Sequence, residues 1–184
     1  MRDAALAQLQ HLQPSLSGED TLRMDQETFC ALYERTSRPL WAYLWRRTGD
    51  RQLADDLLQE TYYRFLRTHA VPDREQYRKN YLFRIATNLL RDNWRRRRDM
   101  DPLLENDSRL ASDSDAADRS QRGQDLQRAM SKLEPRHRDA VWLAYAEGAS
   151  HEEIAAILGM KVQSVKSTLF RAKRKLAELL GGSR

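Results

Sequence analysis

The chain has 184 residues, 32% charged and 40% hydrophobic, with a net charge of +5 and a mean hydropathy of −0.82, which leaves room for one medium or two small domains and excludes wholesale disorder. Seven Gly and five Pro speak against a strand-and-turn fold. With no apolar run of about 18 residues, no export signal, and Cys30 as the single cysteine, unable to form an internal disulfide, the expectation is a cytoplasmic protein without membrane insertion.

Residues 1–24 read as an N-terminal extension. Leu6, Leu9, Leu12 and Leu16 recur at helical steps, but Pro14 and Gly18 limit any helix, so a short helix and a frayed tail both remain open. Asp25, ahead of Gln26 and Thr28, marks a helix start. Phe29, Leu32, Tyr33, Leu40, Trp41 and Leu44 carry the helical period to Thr48-Gly49-Asp50, with Pro39 as a kink or local break. A second helix, residues 51–68, buries Leu53, Leu57, Leu58, Tyr62 and Phe65 and leaves Asp55, Asp56, Gln59 and Glu60 on or beside its outer face.

The third helix, residues 75–98, carries the most information. At 100° per residue, Leu82, Ile85, Ala86, Leu89 and Asn93 fall within about 100° of arc. Arg84, Asn88, Arg91, Arg95 and Arg98 line the opposite side. Guanidinium groups bind phosphates bidentately, and a neutral amide among them can read a base edge. Tyr77, Tyr81 and Trp94 add aromatic surface of the kind that stacks unpaired bases.

Residues 99–124 read as an exposed linker: through Asp125 this stretch holds eight acidic residues against Arg109, Arg119 and Arg122. A second module, residues 125–184, follows. Leu133-Glu134-Pro135-Arg136 opens a helix that Gly148 closes, and Ser150 with Glu153 forms a capping-box pattern ahead of Ile154, Ala155, Ile157 and Leu158. Gly159 stands where a tight turn between helices needs a positive φ. The last helix, residues 162–179, is expected to bury Val162, Val165, Leu169, Ala172 and Leu176. Its other face shows Gln163, Ser164, Ser167, Thr168, Arg171, Arg174 and Lys175, with Lys166, Phe170 and Lys173 at the boundary. A capped short helix, a glycine turn and a polar, basic second helix make the layout of a helix-turn-helix.

These segments together resemble the extracytoplasmic-function (group 4) sigma factors of the sigma-70 family, the promoter-recognition subunits of bacterial RNA polymerase. The resemblance rests on A-D-D-L-L-Q-E-T-Y-Y-R-F (54–65), Y-L-F-R-I-A-T-N-L-L-R-D-N-W-R-R (81–96), L-E-P-R-H-R-D-A-V (133–141), S-H-E-E-I-A-A-I-L-G (150–159) and V-Q-S-V-K-S-T-L-F-R-A-K-R-K-L (162–176). It implies an all-α fold of two small helical domains, sigma region 2 over 25–98 and region 4 over 125–184, joined by the acidic linker. It implies further that Asp55, Asp56, Gln59 and Glu60 dock on the clamp of the largest polymerase subunit. Tyr81, Arg84, Asn88, Arg91 and Arg95 would read the melted −10 element of promoter DNA. Ser164, Lys166, Ser167, Thr168, Phe170, Arg171 and Arg174 would contact the −35 element in the major groove. An anti-sigma factor is the regulatory partner the family implies. The loop Ala70-Val71-Pro72-Asp73-Arg74 lacks the aromatic often found there in relatives, which leaves the geometry of a flipped-base pocket open.

Two other classes compete. An enzyme is disfavoured because His11, His69, His137 and His151 share no ligand spacing with one another or with Cys30, and no phosphate loop or nucleophile elbow occurs. No catalytic residue, cofactor or metal is expected. A free-standing helix-turn-helix regulator would explain the second module, but has no need of the 54–65 motif or of the Arg–Asn stripe.

Overall fold

The computed structural model describes residues 24–68, 74–100 and 121–181, and among them there are seven helices and no strand. The first, α1 (Gln26–Thr48), starts where Asp25 accepts a hydrogen bond from the Thr28 amide at 2.8 Å. It runs unbroken through Pro39, so the proline is absorbed rather than marking a break. Buried Thr36, Leu40, Tyr43 and Leu44 on either side hold the segment by packing, which outweighs a local propensity defect. At Gly49 the backbone turns left-handed (φ 66°) and its N–H caps the Trp45 carbonyl.

Helix α2 (Arg51–Leu66) begins on an Asp50 cap and buries Ala54, Leu57, Thr61, Tyr62 and Phe65 against α1 and α3 (Glu75–Met100). Leu53 and Leu58 are only partly buried. Phe29, Tyr33 and Tyr62 form an aromatic cluster with ring centroids 4.9–6.2 Å apart. The Tyr62 hydroxyl, buried against Thr36 Oγ1 at 2.6 Å, has its pKa pushed far up by burial. Met24, assigned from the sequence to the N-terminal extension, is buried in this core; residues 1–23 and 69–73 lie outside the described residues, with the leucine pattern and most of the loop before α3.

The remaining helices are α4 (Gln121–Ser131), α5 (Pro135–Tyr145), α6 (His151–Leu158) and α7 (Val162–Gly181). The expected linker bounds, 99 and 124, fall inside helices: α3 continues to Met100 and α4 begins at Gln121. Ser150 and Glu153 close a full capping box at the start of α6, and Gly159 (φ 62°) makes the turn into α7. Val165, Leu169 and Ala172 are buried as expected, whereas Val162 in the first turn of α7 is 44% exposed.

The sequence left the relative placement of the two modules open. In the structure they pack together, with α3 against α6 and a single buried cluster running through both. This explains why α3 buries Phe83, Thr87 and Leu90 in addition to the expected stripe. Phe83 and Thr87 meet Tyr43 of α1, and the Tyr43 hydroxyl reaches Asp139 of α5 at 3.0 Å.

Candidate nucleic-acid interface

Three surfaces carry the residues singled out from the sequence. On α2, Asp56 and Gln59 are exposed and Glu60 is half-buried. Asp56 accepts from Gln52 Nε2 at 3.1 Å, and Glu60 pairs with Arg64 one turn on at 2.6 Å, both exposed contacts of little energetic weight. Asp55 departs from this group: its Oδ1 accepts the indole N–H of Trp41 at 2.6 Å, so the carboxylate faces back to α1. Trp41 stacks on Trp45 at 5.3 Å, and the Arg51 guanidinium lies over the Trp41 ring. Tyr63, 47% exposed and three or four residues beyond Gln59 and Glu60, extends the same face. The i, i+3, i+4, i+7 spacing from Asp56 could have identified it.

On α3, Arg84, Asn88, Arg91 and Arg95 are all exposed along one side. Arg95 contacts Asp92 at 3.4 Å, and Arg91 Nη2 donates to the Leu158 carbonyl at the end of α6 at 3.3 Å. Asn88 makes no side-chain hydrogen bond among the described residues. Tyr81 stands apart from the stripe: it is half-buried, with its ring 6.1 Å from Phe65 and its hydroxyl 3.2 Å from Thr68 Oγ1. Tyr77 is 54% exposed, while Trp94 packs on the core. Nothing is described for the Arg98 side chain.

On α7, Lys166, Ser167, Phe170, Arg171 and Arg174 are exposed, Phe170 with 65% of its surface. Ser164 is half-buried. Thr168, expected on the outer face, is buried, and its hydroxyl returns to the Ser164 carbonyl at 2.8 Å. Its hydroxyl proton is satisfied within the helix and its side chain is largely withdrawn from the surface. Ser167 makes the same kind of bond at 3.0 Å but stays exposed.

The helix before it, α6, is anchored at its N-terminus. Ser150 N–H donates to Glu153 Oε2 at 2.7 Å, and Glu153 Oε1 accepts from Gln76 and Asn80 of α3. Burial would raise the Glu153 pKa, but the Ser150 amide, the Gln76 and Asn80 amides and the nearby Lys79 charge together hold it below the usual value. His151 and Glu152 are exposed beside it. Among the described residues no group of three or more His, Cys, Asp or Glu side chains converges as metal ligands, and no helix is long and apolar enough to cross a membrane.

An acidic helix face, an arginine–amide stripe and a basic helix-turn-helix thus stand exposed on one molecule. The family model for sigma-70 region 2 matches residues 32–99, and that for sigma-70 region 4 matches residues 123–176. The chain is 31% identical over 199 residues to the ECF RNA polymerase sigma factor SigE of Mycolicibacterium smegmatis, covering 96% of this chain and 77% of that one. It is 32% identical over 158 residues to the RNA polymerase sigma factor CarQ of Myxococcus xanthus, covering 85% and 91%. Among solved structures it resembles the sigma factor RpoE in complex with the anti-sigma factor NepR from Bartonella quintana, with a TM-score of 0.64 and 25% identity over 86% of this chain and 99% of that one. It also resembles CnrH in complex with the cytosolic domain of CnrY, with a TM-score of 0.61 and 26% identity over 87% and 92%. The chain belongs to the extracytoplasmic-function sigma factors of the sigma-70 family, transcription initiation factors that bind RNA polymerase and promoter DNA.

Proposed function

We propose that the three exposed faces divide the work of a sigma factor between them. The α2 face of Asp56, Gln59 and Glu60 docks on the polymerase clamp, where exposed acids meet a basic partner surface and set orientation and encounter rate. Asp55 serves this face indirectly, by fixing α2 to α1 through Trp41. The α3 stripe reads melted −10 DNA: Arg84, Arg91 and Arg95 hold phosphates, Asn88 reads an unpaired base, and Tyr81 backs the stripe from the core side. The α7 face reads the −35 duplex through Lys166, Ser167, Phe170, Arg171 and Arg174, with Ser164 at its edge and Thr168 seating the helix from behind.

The observation that carries this reading is Asn88, exposed without an internal partner in the middle of a line of exposed arginines. That arrangement adds little to packing, and its chemistry fits a phosphate-bound, unpaired base. The protein works in the cytoplasm, without enzymatic activity, cofactor or metal of its own. A partner of the anti-sigma class regulates it, a reading supported by the likeness to RpoE in its complex with the anti-sigma factor NepR. The test is binding to core polymerase by Asp56→Arg/Glu60→Arg. We expect affinity to fall at least tenfold with an unchanged melting temperature; unchanged affinity would remove the docking role from α2.

A further inference from the structure

Six of the seven tyrosines have a visible occupation. Tyr33 and Tyr62 belong to the aromatic cluster of the first module, and Tyr43 and Tyr81 are held through their hydroxyls. Tyr63 and Tyr145 carry Arg67 and Lys173 over their rings. Tyr77 is the exception. It is 54% exposed, and among the described residues its side chain makes no hydrogen bond and no ring contact.

Its position on α3 gives that ring a neighbourhood. The Tyr77 amide donates to the Arg74 carbonyl at 3.0 Å, so the residue sits in the first turn on a fixed backbone. At 100° per residue, Tyr77, Arg84 and Asn88 fall within about 40° of arc. At 1.5 Å per residue, Arg84 stands about 10 Å along the axis from Tyr77, and Asn88 about 16 Å. All three are exposed, and neither Arg84 nor Asn88 has a side-chain partner among the described residues. Tyr81, the aromatic between them, is turned towards Phe65 and leaves the row open.

The charge around the ring narrows what it can meet. Residues 74–84 carry Arg74, Arg78, Lys79 and Arg84 against Glu75. Glu75 pairs with Arg35 of α1 at 3.1 Å, and Lys79 with Glu147 at 3.2 Å. A flat, exposed ring in cationic surroundings suits an unpaired base on a phosphate strand. Every base has a π-face to stack, and guanidinium groups take the phosphates.

We propose that Tyr77 is a second base-binding position, stacking one unpaired base while Asn88 reads another on the same strand and Arg84 holds a phosphate between them. The inference rests on α3 being the −10 surface and adds a contact at its far end. Stacking tolerates any base, so Tyr77 supplies affinity for opened DNA and Asn88 supplies sequence. Both positions fill only when the strand is open over the whole interval, so the pair measures how far melting has run.

The test uses holoenzyme, assembled from core polymerase and the full-length chain, on a forked fragment of a promoter it transcribes, with the non-template strand unpaired. Single abasic positions are scanned along that strand. With the parent protein, affinity should drop at two separate positions. Tyr77→Ala should bind the intact fork about 5- to 140-fold less tightly. It should lose sensitivity at one of those positions and keep it at the other, which Asn88→Ala removes. Tyr77→Phe keeps the ring and should bind as the parent does.

Tyr77→Ala binding the fork like the parent, or Tyr77→Phe as weak as Tyr77→Ala, would overturn the proposal. So would a loss of core-polymerase affinity with the abasic pattern unchanged, which would make the ring a protein contact. The scan on the parent needs no variant, so it does not depend on how Tyr77→Ala folds. If the Asn88 position matters and no second one does, the −10 reading stands and the Tyr77 position falls. If no abasic position matters, both fall.

Discussion

Replacing Asn88 by alanine separates reading from folding more cleanly than any other single change in this chain. Asn88 is exposed on α3, and its side chain bonds to no described side chain or backbone group. Alanine is the better helix former by up to about 0.7 kcal/mol, so the fold should be unaffected or slightly stabilised. A lost amide contact to an unpaired base is worth about 1–3 kcal/mol, or about 5- to 140-fold in the affected equilibrium. The loss should fall on the step that needs melted DNA. Holoenzyme carrying Asn88→Ala should bind a −35 duplex as the parent does, yet form competitor-resistant open complexes about 5- to 140-fold less well. Arg84→Ala is the contrast: removing a phosphate contact should weaken binding across sequences and flatten the salt dependence. Equal loss of duplex binding and opening in Asn88→Ala, or a lower melting temperature, would refute the role given to Asn88.

Five further outcomes follow from the same structure. Arg171→Ala should weaken binding to the −35 duplex by about 1–3 kcal/mol without changing stability, whereas Thr168→Val should leave DNA binding intact because that hydroxyl is spent on the Ser164 carbonyl; both are read by titration of labelled duplex with holoenzyme. Phe65→Ala, at a fully buried position, should cost about 3–5 kcal/mol in denaturant unfolding. Gly159→Ala meets no atom within 4 Å but must hold φ at +62°, so about 1–2 kcal/mol should be lost through backbone strain alone. Because the Glu153 pKa is lowered on folding, its contribution is present above the ordinary value of 4.5 and fades as pH falls through the lower folded value. The difference in melting temperature between the parent and Glu153→Gln should therefore shrink on acidification below 4.5.

Much of the fold was legible because helices announce themselves locally. The Asp25 cap, the Ser150–Glu153 box and Gly159 each depend on residues within a few positions, and each stands as the spacing implies. The errors have a common physical origin in contacts between distant segments or in groups with two faces. Asp55 reads as an outer-face acid until Trp41, on the preceding helix, takes its oxygen. Thr168 reads as an outer-face residue, but its hydroxyl bonds its own helix and the residue is buried. Tyr81 reads as part of the −10 stripe, yet Phe65 and Thr68 draw it towards the core.

The closed arrangement left the least trace in the sequence. Phe83, Thr87 and Leu90 form a second inward strip on α3 that has no purpose until α1 and the second module are placed beside it. Arg47 and Asp139 look like two ordinary surface charges, since nothing near either one predicts that the other will meet it in a dry site. Exposed site residues were more legible than the module contact because surface periodicity survives in the sequence, whereas pairing between modules does not.

The central claim is that this chain directs core polymerase to promoters by reading two elements at once. Run-off transcription with bacterial core polymerase, this protein and a library of promoter fragments tests it directly. The account predicts new start sites, each preceded by a shared −35 and −10 element, that disappear when the spacing between the elements is altered by half a helical turn. Failure of the protein to bind core polymerase, or unaided binding to a single palindromic duplex site, would contradict it.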